Sequence, residues 1–308
     1  MYDVIIIGAG PGGLTAGLYA GRFRMKTLIL EKTAVGGQII TSATIENYPG
    51  FPGGISSFEL MRRMVDQAKE AGAQIESAQV TGLETDSSQA EYPFKVKTAE
   101  RDFSAKSVIV ASGAQWKRLG IPGEEKFVGR GVSFCATCDA PFFRNKEVVV
   151  VGGGDKAIEE AIFLTAYAAK VTVIHRRKEL RAAEILQEKA KANPRISFFL
   201  DSVVEEISGE NKVAAVKVKN VLTGVSGSIA CQGVFIFVGI KPCADFLKKQ
   251  LATDAAGFII TDDKMICSID GVFACGDCRA KNLYQVVTAC GDAAQAAFSA
   301  HNYLLHGK

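Results

Sequence analysis

Histidine is nearly missing from this chain. There are three in 308 residues, at positions 175, 301 and 306, which narrows the bases available to any proton-transfer chemistry. An excess of one charge is missing too. Lys and Arg number 36 against 33 Asp and Glu, a net +3. No global field therefore argues for nucleic acid or an anionic membrane as a partner. Long apolar runs are absent as well. The stretch 234–240 is among the longest, and a bilayer requires about 20 apolar residues. The first residues, MYDVIIIGAG, place an acid and a strand where a secretory signal would carry a basic segment. Tandem short repeats and low-complexity segments are lacking. What remains is an ordinary globular balance, 48% hydrophobic and 22% charged, of a length that suggests two domains. Eight cysteines without an export signal point to a reducing, cytoplasmic setting in which thiols are reactive or merely buried.

Glycine, in contrast, is plentiful: 31 residues, against about 7% in average usage. Two stretches account for its use. YDVIIIGAGPGGLTAGLYAGR reads as an apolar strand, then Gly8-x-Gly10-x-x-Gly13, then an Ala/Leu-rich helix. EVVVVGGGDKAIEEAIFLTAYA repeats the plan with Gly152-x-Gly154-x-x-Ala157. In such a turn the first glycine bends the chain and the second lets a pyrophosphate approach the backbone. The third small residue lets helix and strand pack closely, and the phosphates rest on the helix N-terminus. Two such loops in strand–turn–helix context predict two dinucleotide sites.

The sites differ downstream. The strand TLILEK ends at Glu31, 23 residues after Gly8. The strand VTVIHRR ends at His175, 23 residues after Gly152, followed by Arg176, Arg177 and, one helical turn on, Arg181. A carboxylate at this position accepts hydrogen bonds from ribose hydroxyls, whereas clustered guanidinium groups suit a 2′-phosphate. Site one is expected to hold an adenine dinucleotide with a free ribose, and site two to prefer NADPH to NADH. GVFACGDC, an apolar strand ending in Gly276-Asp277, adds an acid that can serve a ribityl hydroxyl of FAD. The loop 35–54 is long enough to be functional. Ser56-x-x-Glu59 predicts a capped helix over 56–71, and the last stretch predicts a helix over 288–305 whose N-terminus can stabilise negative charge on a flavin.

FCATCDAPFF, residues 134–143, fits neither loop. Cys135 and Cys138 admit four readings: half of a zinc site, a structural disulfide, two inert thiols, or a dithiol that exchanges two electrons. Zinc requires four ligands, and the other Cys-x-x-Cys, Cys275–Cys278, encloses the flavin-type Gly-Asp. A disulfide closing so short a loop adds little stability through loop entropy. Inert burial suits Cys231, Cys243, Cys267 and Cys290, and small-residue packing suits Cys275 and Cys278. Asp139 beside Cys138 makes inert burial a poorer account of the pair. With His175 assigned to the nucleotide and the other histidines on the last helix, Asp139 is the candidate acid/base.

GAGPGG (8–13), GGQ (36–38), IENYPG (45–50), CATCD (135–139), GGGDKAIEEA (152–161), HRRKELRA (175–182) and GVFACGDC (271–278), in this order over almost the whole chain, resemble the low-molecular-weight thioredoxin reductases. The resemblance implies an α/β fold of two Rossmann-like dinucleotide-binding domains, the NADPH domain inserted into the FAD domain. The divisions are 1–116 for the first part of the FAD domain, 117–243 for the NADPH domain with the Cys-x-x-Cys, and 244–308 for the rest. It implies an FAD- and NADPH-dependent homodimeric enzyme that passes electrons from NADPH through flavin to a Cys135–Cys138 disulfide and on to thioredoxin. Links near 114–118 and 241–245 would act as hinges. The implied FAD contacts are Gly8, Gly10, Pro11, Gly12, Gly13, Glu31, Lys32, Gly37, Gln38, Asn47, Val80, Gly113, Asp277, Gln285 and Val286. The implied NADPH contacts are Gly152, Gly154, Asp155, Lys156, Ala157, His175, Arg176, Arg177 and Arg181. Two positions depart from the pattern: Lys156 replaces a usual serine and Tyr284 a common arginine. The alternatives are a flavin disulfide reductase for another protein acceptor and a redox or nucleotide sensor without turnover. The missing N-terminal thioredoxin-like extension argues against a peroxidase partner, and the intact Cys-x-x-Cys argues against a simple ferredoxin–NADP reductase.

Overall fold

Runs of Val, Ile and Leu with no charge inside them are stable only when covered on both faces, and here they form the centres of two parallel sheets. The structure, a computed structural model, describes residues 1–41, 44–85, 91–247 and 250–307. The chain divides into two compact units, Met1–Gln115 with Lys241–Lys308, and Trp116–Ile240. Among the described residues no helix is long and apolar enough to cross a membrane.

In the first unit, the parallel strands Gln74–Ser77, Thr27–Glu31, Tyr2–Ile7 and Phe103–Val110 lie side by side in that order. Beyond Phe103–Val110 the sheet forks. Val108–Val110 pairs in parallel with Val272–Ala274, and Phe103–Ala105 pairs antiparallel with Phe94–Val96. The strand Val80–Thr85 adds to the antiparallel arm. Chain that follows the second unit thus completes a sheet begun at residue 2. The register sets Ile7 and Ala274 opposite Val110, so three strands end together and their loops share one edge.

The helix Pro11–Arg22 starts with Pro at its first turn, where a missing N–H costs nothing. Its small residues Ala16 and Ala20 share a core with Ala293, Ala296, Ala297 and Ala300 of the helix Val286–His306. That last helix begins two residues earlier than the sequence pattern suggests. Gln285 caps it, its side chain accepting from the Thr288 N–H while the Thr288 hydroxyl accepts from Gln285 N–H, and Gly307 ends it in the left-handed region. The helix Ser57–Glu70 has Ser56 as its cap, with Oγ accepting from Glu59 N–H at 3.2 Å. The Glu59 carboxylate is engaged by Arg62 and Arg63.

In the second unit, five parallel strands run in the order Val132–Ser133, Gly233–Ile236, Glu147–Val151, Lys170–Ile174, Ile196–Phe199. The helix Asp155–Leu164 packs Ala157, Ile158, Ala161 and Leu164 into the core on one face of this sheet. A separate antiparallel sheet joins Ser202–Gly209, Val213–Asn220 and Ser226–Ala230.

Candidate active site

The three strand ends of the first unit bring the first glycine loop against Ala111–Gly113 and Cys275–Cys278. A Cβ added to Gly8, which sits at φ +108°, would lie 2.9 Å from the Ala111 carbonyl carbon. One added to Gly13 would lie 2.8 Å from the carbonyl carbon of Gly8. Gly12 has more room. Its added Cβ would meet the Ala289 carbonyl oxygen at 3.6 Å and Cys275 Sγ at 3.7 Å. Gly10 faces Gly37 so closely that an added Cβ on Gly37 would come within 3.3 Å of Gly10 Cα. A floor of bare backbone results, with Pro11 at the head of the helix.

The neighbouring side chains converge on this floor. Glu31 Oε2 accepts from the Ala9 N–H of the loop at 2.8 Å, while Oε1 accepts from Thr33 N–H at 3.1 Å. Lys32 follows, exposed. The Gln38 amide donates to the Ala114 carbonyl next to Gly113. Asn47 Nδ2 donates to Gln285 Oε1 at 2.9 Å, which joins the loop 45–50 to the cap that precedes Val286. Val80 is buried in the apolar cluster with Leu28 and Leu30. Beside Asp277 lies an ion cluster centred on Asp292 that sequence reasoning missed. Asp292, nearly buried, accepts from Gly276 N–H at 3.2 Å, Lys281 Nζ at 3.0 Å and Arg279 at 3.2 Å. Lys281 also lies 3.6 Å from Asp277 Oδ1. Burial raises the Asp277 carboxyl above its ordinary value, against the pull of Lys281. Only the acids and bases between 277 and 292 hint at this cluster in the sequence. Tyr284, in the departing position, packs its ring against Phe258 with centroids 5.7 Å apart. At this edge Ser112 Oγ is buried with no hydrogen-bond partner among the described residues, and the buried Asp277 Oδ1 has only the longer ion contact to Lys281. Buried polar atoms need partners, and a ligand rich in hydroxyls and phosphates supplies them. The residues present fit FAD.

The second loop has a different character. Gly152 lies at φ +151°, and an added Cβ would sit 2.8 Å from the Ala157 Cβ. Gly153 is covered by His175, whose Cε1 would be 2.6 Å from an added Cβ. Burial, with Arg181 adding to it, holds the His175 imidazole below its ordinary value, and its Nε2 is buried with no hydrogen-bond partner among the described residues. Arg181 does not continue a helix, as the sequence spacing suggests. Residues 176–183 form a bend ahead of the helix Glu184–Lys191. The bend is pinned to the glycine loop, with Arg181 N–H and Ala182 N–H donating to the Gly153 carbonyl at 2.6 and 3.1 Å and Ala183 N–H to Asp155 Oδ1 at 2.6 Å. This folds the Arg181 guanidinium to within 3.9 Å of the place a Gly154 Cβ would take. Arg176 and Arg177 are exposed on the same bend. None of the three guanidinium groups has an ion pair among the described residues. Unpaired cations beside a bare helix N-terminus fit a dinucleotide that bears an additional phosphate. Lys156, next along the helix, turns its Nζ to Glu160, a buried carboxylate the sequence did not single out.

A disulfide joins Cys135 and Cys138, with Cα atoms 5.3 Å apart. Cys135 caps the short helix Ala136–Asp139. Ala136 and Ala140 are fully buried in the cluster that holds Ala157, Ile158 and Ala161, so the disulfide turn and the helix of the nucleotide loop share one core. Both cysteines and Asp139 are half-buried and Thr137 is exposed, which leaves the sulfurs approachable. The sulfurs are bonded to each other, so they offer no thiolate to a metal. Cys231, Cys267, Cys275 and Cys278 are free and buried, and Cys243 and Cys290 free and half-buried. Burial raises the thiols of Cys231 to about 12 and Cys278 to about 11, which suits packing rather than reactivity.

The family described as pyridine nucleotide-disulphide oxidoreductase matches residues 2–294. The chain is 45% identical over 311 residues to a thioredoxin reductase of Peptoclostridium acidaminophilum, covering 99% of this chain and 97% of that protein. It is 45% identical over 303 residues to one of Treponema pallidum, covering 98% and 97%. The crystal structure of thioredoxin reductase from Streptococcus pyogenes superposes with a TM-score of 0.93 at 47% identity, covering 99% of this chain and 98% of that one.

Proposed function

Since the chain belongs to the pyridine nucleotide-disulphide oxidoreductase family, we propose that it is an NADPH-dependent thioredoxin-disulfide reductase. The observation that carries this reading is the half-exposed Cys135–Cys138 disulfide seated on the same core as the nucleotide loop. The reaction balances as NADPH, one proton and thioredoxin disulfide giving NADP⁺ and the thioredoxin dithiol. Bound FAD supplies a two-electron centre between the nucleotide and the protein sulfurs.

The chain's own residues divide the work. The bare floor of Gly8, Gly10, Pro11, Gly12, Gly13 and Gly37 receives the FAD pyrophosphate, with Glu31 and Lys32 at the adenosine end. Gln38, Asn47, Val80, Gly113, Asp277, Gln285 and Val286 hold the remainder. Gly152, Gly154, Asp155, Ala157 and the backbone of Lys156 frame the NADPH pyrophosphate beside His175, and Arg176, Arg177 and Arg181 take its 2′-phosphate. Cys135 and Cys138 carry the electron pair, and Asp139 manages the proton that thiol–disulfide exchange requires. The FAD residues belong to the discontinuous unit, and the disulfide and nucleotide residues to the inserted one, 117–243 in the sequence division. Both must reach one flavin, so they act in turn, and the two chain crossings near 115 and 241 are the hinges.

Tyr19 and Phe298 are exposed, 40% and 47%, and flank Phe23 with centroids 6.5 and 6.2 Å away. Such a cluster of exposed rings supports a homodimer built on this unit, which light scattering tests. The six free cysteines support a reducing cytoplasm.

The test is purification. The protein is expected to be yellow with one FAD bound to each chain, and to reduce thioredoxin with NADPH. Cys135→Ser and Cys138→Ser should each abolish that turnover. A colourless protein, or undiminished turnover in either variant, overturns the reading.

A further inference from the structure

The strand Val132–Ser133 ends two residues before the first redox cysteine. Ser133 is 4% exposed, and three polar atoms surround its hydroxyl. Cys135 N–H donates to Oγ at 3.1 Å, Asp139 Oδ2 lies at 2.6 Å, and the Cys135 carbonyl oxygen lies at 3.2 Å. A serine hydroxyl gives one hydrogen bond and accepts two. When Asp139 is ionised, the shorter contact takes the hydroxyl proton. Ser133 then donates to Oδ2 and accepts from Cys135 N–H. When Asp139 carries a proton on Oδ2, the direction reverses. The carboxyl donates to Oγ, and the serine proton turns to the Cys135 carbonyl. The ionised arrangement uses two of the three contacts and the protonated one uses all three, and the serine hydrogen only has to rotate between Oδ2 and the Cys135 carbonyl. Alanine makes none of these contacts.

We propose that Ser133 is a positioning residue for dithiol–disulfide exchange, a hydroxyl rotor that holds Asp139 beside the Cys135–Cys138 pair in both of its protonation states. The proposal rests on the thioredoxin reductase reading and assigns the support that Asp139 needs. In the exchange, one enzyme thiolate attacks the thioredoxin disulfide, forming a mixed disulfide and releasing one thioredoxin sulfur, which takes a proton. The second enzyme sulfur then closes the Cys135–Cys138 bond and releases the other thioredoxin sulfur, which takes the second proton. Two electrons and two protons leave the enzyme dithiol. Asp139 gives a proton to a departing sulfur, regains one from an enzyme thiol, and ends as it began. A group that alternates in this way needs an anchor that serves it charged and neutral alike.

Threonine and valine have nearly the same shape and differ by a hydroxyl for a methyl, so the pair separates the hydroxyl from the volume. The FAD-loaded parent, Ser133→Ala, Ser133→Thr and Ser133→Val enzymes are compared in two assays: rapid-mixing reduction of the flavin by NADPH, and steady-state reduction of thioredoxin. In Ser133→Ala and Ser133→Val, kcat with thioredoxin should fall by about ten- to 10²-fold, the cost of a misplaced catalytic group. KM for thioredoxin and flavin reduction by NADPH should stay at parental values. Ser133→Thr should recover most of kcat. Parental kcat in Ser133→Ala, or equal rates in Ser133→Thr and Ser133→Val, overturns the proposal. If Ser133→Ala folds poorly, as flavin reduction would reveal, the Thr-to-Val ratio still decides. A parent enzyme that reduces its flavin but not thioredoxin overturns the functional reading first and this proposal with it.

Discussion

Adjacent glycines in the first loop face opposite constraints. A Cβ on Gly13 would sit 2.8 Å from the carbonyl carbon of Gly8, and the carbonyl oxygen lies closer still. Ordinary carbon contacts are about 3.5–4.0 Å, and the Gly8 carbonyl oxygen is nearer than its carbon, so helix and strand must part by more than about an ångström. Neither neighbour is a flexible side chain, since the clash is with backbone. Overpacking of this kind costs about 1–3 kcal/mol and occasionally more. In a domain of this size that lowers Tm by about 2–4 °C for each kcal/mol. A Cβ on Gly12 would meet its neighbours at 3.6–3.9 Å, ordinary contact. Replacing glycine in a helix also gains up to about 1 kcal/mol. In the FAD-free proteins, Gly13→Ala should therefore melt about 2–12 °C below the parent, while Gly12→Ala should melt between the parent value and about 4 °C above it. Thermal unfolding followed by circular dichroism reads both, and flavin absorbance after dialysis reads retention, which Gly13→Ala should lose. The second loop carries Ala157 at the position equivalent to Gly13, buried in its core. Gly13→Ala melting with the parent and keeping its flavin would refute the reasoning.

Arg181→Ala should raise KM for NADPH by about tenfold or more, the loss of one charge-assisted hydrogen bond, and leave KM for NADH within about twofold. Equal losses with both nucleotides in steady-state assays would remove Arg181 from the 2′-phosphate site. Asp139→Asn should slow thioredoxin turnover by at least about 10²-fold and leave NADPH reduction of the flavin nearly intact in rapid mixing. Equal losses in the two half-reactions would remove Asp139 as the acid/base. His175 is held below its ordinary value in the folded protein, so the unfolded chain binds a proton that the folded chain refuses. The stability this gives is present above about pH 6.5 and is lost as pH falls toward the depressed value. Melting temperature should thus drop more steeply between pH 7 and pH 5.5 in the parent than in His175→Gln, and parallel profiles would contradict it.

The two dinucleotide loops were legible because their function depends on local spacing. A glycine that must approach a carbonyl, such as Gly8, announces itself at a strand end. The last helix was legible in its body and not at its start, since the Gln285–Thr288 capping box lies outside the apolar pattern. Ser133, Glu160 and Asp292 were not legible. Each acts through a neighbour that folding brings to it: Asp139 and the Cys135 backbone, the Lys156 ammonium, and the Gly276 N–H with Lys281 and Arg279. Arg181 was legible as a cation. The path that carries it back over the glycine loop was not, because it depends on backbone bonds to Gly153 rather than on helical periodicity.

The same strand–turn–helix plan serves two sites of opposite electrostatic sign, and the residue that ends the second strand decides which. Glu31 turns its carboxylate onto the Ala9 N–H. That end of the site then carries negative charge, which welcomes hydroxyl donors and repels a further phosphate. At the equivalent place His175 covers Gly153 as a neutral ring, and three unpaired guanidinium groups gather around it. A net charge of +3 conceals this division, since it is local. Lys156 shows how local. It lies in the first turn of the nucleotide helix, yet Glu160 draws its ammonium one turn along the axis, so its charge is partly neutralised where the sequence alone would count it in full. Lys156→Ser would leave Glu160 buried without its cation, and the cost should appear in the stability of the inserted unit before it appears in nucleotide affinity. A melt that is unchanged while KM for NADPH rises would place the Lys156 charge on the phosphates instead.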